Sequence, residues 1–216
     1  MTAEEIAKAN ADLSGKSPQE ITNWAVENGG DTILVSTNFR PYEAVILHLC
    51  VQAKPDMTVL WMDSGWNRPA TYRHAQEVIE KLKLNIVIHT PQITVEHWKA
   101  IHGEGVPSPD DEELHKKFSY ATKIEPFLRG MKELAPTLWI TGLRAVQNPN
   151  RANLDVIAED VNFGSLKVNP AFHMSDEDMD AYLKEHNLPN EWDYFDPVKA
   201  GEKRECGLHV PVVGKG

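Results

Sequence analysis

The sequence predicts an α/β protein built on a parallel sheet covered by helices on both faces. Two observations lead there. Short β-branched runs alternate with segments whose apolar residues recur at helical spacing, the pattern of strands joined by crossover helices. The strand-like runs also end in VSTNFRP, WMDSGWNRP and ITGLRAVQNPNR, rich in hydroxyls, Gly, Asn and Arg. Ligands of open parallel sheets bind outside the carboxyl ends of the strands, so these three endings are where an anion site is expected.

The elements follow in order. DTILVSTN (31–38) predicts a strand, and PYEAVILHLCVQA (41–53) a helix with Pro41 in its first turn. MTVLWMD (57–63) predicts a second strand and RPATYRHAQEVIEKLKL (68–84) a second helix. NIVIHT (85–90) is a third strand, KIEPFLRGMKEL (123–134) a helix, and TLWITGL (137–143) a fourth strand. GEGVPSPDDEELHKKF (103–118) reads as a polar surface loop. SDEDMDAYLKEHNL (175–188) opens with a Ser-x-x-Asp capping pattern and predicts a late amphipathic helix. From Asp193 onward periodicity fades, so the reading is a body over 1–192 and a mobile tail over 193–216.

With 216 residues, 41% hydrophobic and 25% charged, the chain can bury a substantial core. A net charge of −10 argues against a nucleic-acid coat or a binder of anionic membranes. It leaves room for a small anionic substrate, because a few local cations outweigh a distant negative balance. No apolar run is long enough to cross a bilayer and the first residues lack an export pattern, so a cytoplasmic location is expected. Two cysteines far apart make neither a disulfide framework nor a metal pattern.

Each strand ending has a chemical and a plain structural reading. Ser36, Thr37, Asn38, Phe39 and Arg40 could cradle a phosphate at a helix N-terminus, or simply cap that helix. Asp63, Ser64 and Gly65 could receive a ribose hydroxyl or fix a turn. Arg144 and Arg151, beyond Gly142, could clamp a phosphate or sulfate, or lie solvated at the surface. Cys50 stands on an apolar helix face and reads as core. Cys206 is the opposite case: Lys203, Arg204 and His209 surround it and favour the thiolate, which fits a nucleophile.

Taken in order, VSTNF, MDSGW with the following PATY, TKIEP, GLR with NRANL, and above all KRECGLH resemble the phosphoadenylyl-sulfate reductase family over roughly residues 30 to 209. The resemblance implies a Rossmann-like sheet of the adenine nucleotide α-hydrolase type. It also implies reduction of an adenylylated sulfate through an S-sulfocysteine on Cys206, released as sulfite by thioredoxin or glutaredoxin. Lys123 of TKIEP joins the implied substrate contacts, and members are often homodimers. The family's cluster-bearing branch has a Cys-Cys pair where this chain has Phe118-Ser119, and two cysteines cannot supply four iron ligands. That points to the cluster-free type, with no bound cofactor and a 3′-phosphorylated substrate. Arg40 stands where a small residue is usual, Ala145 follows Arg144 where a second arginine is common, and Asn148 replaces a serine. Rival readings are an adenylyl-sulfate reductase, a nucleotide-adenylating relative sharing MDSGW, and a non-catalytic redox sensor using Cys206.

Overall fold

The computed structural model describes residues 1–108, 110–147, 154–160 and 162–199. Its centre is a six-stranded sheet: β1 (Ile33–Thr37), β2 (Thr58–Met62), β3 (Asn85–His89), β4 (Leu138–Ile140), β5 (Ile157–Asp160) and β6 (Ser165–Val168), in the order β3-β2-β1-β4-β6-β5. All neighbours are parallel except β5 with β6. Val35 of β1 lies between Val59 of β2 and Ile140 of β4. The chain runs outward from β1 through β2 to β3, then returns to place β4 on the other side of β1. The order therefore reverses between β1 and β4, which opens a crevice at their carboxyl ends.

The helices are α1 (Ala3–Leu13), α2 (Pro18–Asn28), α3 (Glu43–Ala53), α4 (Pro69–Leu82), α5 (Val95–His102), α6 (Glu112–Ser119), α7 (Glu125–Leu134) and α8 (Asp176–Glu185). Helix α3 is apolar almost all round, and Ala44, Val45, Ile46, Leu47, Leu49 and Cys50 are buried, as a helix pressed between sheet and outer helices must be. Burial of each large aliphatic side chain there contributes about 1.5–3 kcal/mol. Cys50 is fully buried, as its apolar setting predicts, and desolvation pushes its thiol pKa well up.

Several expectations are corrected. Pro41 is not in the first turn of α3: Tyr42, at φ 72°, precedes the helix in the left-handed region, so the chain bends sharply before Glu43. The supposed loop 103–118 contains α6, whose Asp111 side chain accepts from the Leu114 amide and whose Phe118 is fully buried. The fourth strand is shorter than TLWITGL, ending at Ile140. A π-helical turn, Tyr120–Ile124, feeds α7. Helices α1 and α2 carry capping boxes, Thr2 with Glu5 and Ser17 with Glu20, which the sequence reading passed over. Strands β5 and β6 also went unread. Among the described residues no helix is long and apolar enough to cross a membrane.

Of the stretch expected as tail, residues 193–199 are described, and part of it is anchored to the body. The Asp196 side chain and Val198 are buried, Val198 against Trp98 and Phe118, and Arg68 pairs with Asp193.

Candidate active site

The loop after β1 makes one wall of the crevice. Its side chains fold back on its own backbone: Thr37 Oγ1 accepts from the Phe39 amide at 3.1 Å, and Asn38 Oδ1 from the Arg40 amide at 3.3 Å. Phe39 takes φ 51° and is held there by burial and an edge-on contact with Trp61, ring centres 4.9 Å apart. Left-handed geometry at two bulky residues, Phe39 and Tyr42, is costly and persists only where neighbours over-determine it, which is common at ligand sites.

The loop after β4 makes the facing wall. Trp139 Nε1 donates to Ser36 Oγ at 2.8 Å, tying the two strand ends together. Arg40 crosses between the walls. Its Nε donates to Glu43 Oε1 at 2.8 Å and one terminal nitrogen donates to the Gly142 carbonyl at 2.8 Å. A Cβ on Gly142 would lie 2.7 Å from Glu43 Oε1, so a larger residue there would push that carboxylate off its contact with Arg40.

The cleft so formed encloses about 750 Å³ counted to its open mouth. Leu60, Met62, Phe127, Trp139 and Leu143 give it an apolar floor, and Arg40, Lys123 and Lys199 bring positive charge. That combination suits a flat heteroaromatic ring carrying anionic groups. Lys123 projects from the π-helical turn, a local widening often found at functional positions. Its ammonium lies 2.6 Å from Asp196 Oδ2, and both side chains are 6% exposed.

The structure thus brings together Ser36, Thr37, Asn38, Arg40, Lys123 and Gly142. Phe39 supports the loop from the core. Asp63, Ser64 and Gly65 do not line the cleft. Asp63 Oδ1 instead accepts from the Gly65 amide, Asn67 and the Tyr72 hydroxyl, which fixes a turn with Gly65 at φ 76°. Burial, with the Asp63 carboxylate beside it, pushes the Tyr72 hydroxyl up to about 12. Arg144 is also directed away from the cleft. It is buried, donates to Asp176 Oδ1 at 2.7 Å and the Met174 carbonyl at 3.2 Å, and lies 5.0 Å over the Tyr42 ring. Asp176 draws the guanidinium toward α8. Arg151, Lys203, Arg204, Cys206 and His209 lie outside the described residues.

Glu43, Thr141, Tyr194, Asp196 and Lys199 line the cleft and were missed in the sequence. Only Thr141, two residues before Leu143 in a strand ending already singled out, carried a local signal.

The sequence profile of the phosphoadenosine phosphosulfate reductase domain matches residues 32–192. The chain belongs to this family. A phosphoadenosine 5′-phosphosulfate reductase of Synechococcus is 29% identical, covering 95% of this chain and 97% of its own length. The crystal structure of the phosphoadenylyl-sulfate reductase of Candida auris, a phosphate complex, superimposes with a TM-score of 0.76 at 26% identity over 88% of this chain and 89% of that one. An NH3-dependent NAD synthetase of Campylobacter jejuni shares the fold alone, with a TM-score of 0.52 at 16% identity over 91% and 80% of the two chains. The fold is that of the adenine nucleotide α-hydrolases, as the reductase family implies. Its strand-order reversal sets the ligand crevice between the loops after β1 and β4.

Proposed function

We propose that this chain reduces 3′-phosphoadenylyl sulfate to sulfite and adenosine 3′,5′-bisphosphate. The observation that carries the reading is that three separate family motifs meet in one cleft, Ser36-Thr37-Asn38, then Lys123, then Gly142, with Arg40 beside the first. The nucleotide ring lies on the apolar floor, and its phosphate and sulfate groups meet Arg40, Lys123 and the β1 loop. Charge-assisted hydrogen bonds of this type contribute about 1.5–3 kcal/mol each.

The Cys206 thiolate attacks the sulfur of the sulfate group. The bond from sulfur to the bridging phosphate oxygen breaks, its electron pair leaves with adenosine 3′,5′-bisphosphate, and Cys206 becomes an S-sulfocysteine. A donor dithiol, thioredoxin or glutaredoxin, then attacks Cys206 Sγ. Sulfite leaves, and the donor's second thiol resolves the mixed disulfide, so two electrons pass to sulfur. With two cysteines in the chain, a four-cysteine iron–sulfur cluster is not part of the proposal. The same reading makes the protein cytoplasmic, where reducing donors are abundant.

Sulfite release, assayed with reduced thioredoxin and either phosphoadenylyl sulfate or adenylyl sulfate, tests the function. Turnover of the 3′-phosphorylated substrate at a higher kcat/KM supports it. Turnover of neither overturns it.

A further inference from the structure

The segment from Asp193 to Lys199 runs along the cleft, which Tyr194, Asp196 and Lys199 line, and is held at points of different character. Arg68 pairs with Asp193 at the surface and its guanidinium lies 5.7 Å over the Phe195 ring. Val198 enters the apolar cluster of Trp98 and Phe118. Between these contacts Asp196 turns inward. One carboxylate oxygen accepts from the Val198 amide at 3.2 Å and the other from Lys123 Nζ at 2.6 Å. Tyr194, Asp196 and Lys199 all line the cleft that holds the family motifs.

A buried ion pair is a weak source of stability, because two desolvated charges roughly offset their attraction. Its exchangeability is more informative. Lys123 needs an anion while it is buried, and any anion of suitable shape meets that need. A phosphate or sulfate oxygen set against Lys123 would also face the Asp196 carboxylate at close range, and two anions in a desolvated site repel.

We propose that Asp196 is an intramolecular stand-in for the substrate's anionic group at Lys123, and that nucleotide binding displaces it together with the 193–199 segment. The inference rests on the reading of the cleft as a nucleotide site. It assigns Asp196 as a competing ligand that sets affinity, and makes release of the segment leading toward Cys206 a consequence of substrate arrival. Displacement breaks the Lys123 contact and exchanges it for one with the nucleotide. The surface contact of Arg68 with Asp193 adds little resistance, because exposed ion pairs are weak.

The test uses the full chain and adenosine 3′,5′-bisphosphate as the probe. Titration calorimetry is run on the unsubstituted protein, Asp196→Asn, Lys123→Ala and the double variant. Removing the competing charge should tighten binding by Asp196→Asn roughly tenfold, the scale of one charge-assisted hydrogen bond. With Lys123→Ala already present, the second substitution should have no further effect. Independently of any variant, amide hydrogen exchange over 193–199 should quicken when the probe binds the unsubstituted protein. Equal or weaker binding by Asp196→Asn overturns the proposal, as does slower exchange of the segment on binding, which would make Asp196 part of a closing site. Absence of binding by every form overturns it as well. The sulfite assay separates the two readings. Normal turnover with no effect of Asp196→Asn removes the stand-in alone, whereas tighter binding without any sulfite release removes the reductase assignment alone.

Discussion

Arg40 and Glu43 form a largely buried ion pair at 2.8 Å, with the Arg40 side chain 21% and the Glu43 side chain 7% exposed. The same guanidinium also reaches the facing loop at the Gly142 carbonyl. Arg40 therefore faces the cleft and is not a solvated surface side chain. Arg40→Ala should lower the preference for 3′-phosphoadenylyl sulfate over adenylyl sulfate by roughly tenfold. It should also cost about 3–5 kcal/mol of stability by leaving Glu43 buried and unpaired. Adding Glu43→Gln should restore part of the stability without restoring the selectivity. Comparing kcat/KM for the two nucleotides checks this, and equal losses for both would remove Arg40 as the discriminator.

Arg144 should behave differently. Its partners are Asp176, the Met174 carbonyl and the Tyr42 ring, all on the α8 side of the loop. Arg144→Ala should cost about 2–4 kcal/mol in urea unfolding by removing buried hydrogen bonds and leaving a gap. Affinity of the folded protein for adenosine 3′,5′-bisphosphate should change by no more than about twofold, well under the ~1.4 kcal/mol of a tenfold change. A tenfold loss of affinity at unchanged stability would return Arg144 to the substrate contacts.

The two cysteines separate chemistry from packing. Reduced protein incubated with phosphoadenylyl sulfate and no donor should gain the mass of one SO3 group on the peptide containing Cys206, and Cys206→Ser should release no sulfite. Cys50→Ser should keep turnover. It should unfold about 1–3 kcal/mol more easily, because a hydroxyl replaces a thiol at a fully buried position. Sulfite release by Cys206→Ser would exclude that thiol as the nucleophile.

Stability should fall on mild acidification through His48. Burial, reinforced by the neighbouring His186, holds its pKa below the usual histidine value, and its Nδ1 lies 2.9 Å from the Tyr182 hydroxyl on α8. The folded protein then binds the proton less readily than the unfolded chain, whose histidine titrates near about 6.5. The stabilising contribution is complete above that value and is lost as pH falls through the lower folded one. His74, lowered chiefly by burial, adds in the same direction. Urea midpoints from pH 7.5 to 5 should decline, and His48→Gln should flatten the decline. An unchanged slope in that variant would exclude His48 as a source.

Strands β1 to β4 and helices α3, α4, α7 and α8 were legible because each carries its signal locally, in period or in caps. Helix α6 was hidden by the Pro-rich and acidic run before it, although Asp111 is itself the cap and Leu114 and Phe118 mark the inner face. Strands β5 and β6 have four residues each, too few for a period to stand out. Within the site, the β1 loop and Gly142 were found because strand ends are where parallel sheets bind ligands. Asp196 was not, since it meets Lys123 across 73 residues of sequence and nothing near it is periodic. Arg144 is the converse case. Its place in a strand-end loop was read correctly, but the direction of its guanidinium was decided by Asp176, 32 residues away.

The parallel pairing of β1 has a consequence for how the protein is made. Leu34 pairs with Thr58, close in sequence, and on its other side with Trp139, more than a hundred residues on. Ordering a chain over so long a loop costs entropy before any contact offsets it, so such pairings form slowly. During synthesis β1, β2 and β3 emerge first, and the β1 edge stays uncovered until β4 has left the ribosome. For that interval the backbone donors and acceptors of the central strand are open to the wrong partner. The crevice cannot form before β4 arrives, so a nascent chain halted before Leu138 is exposed to misassembly along the β1 edge.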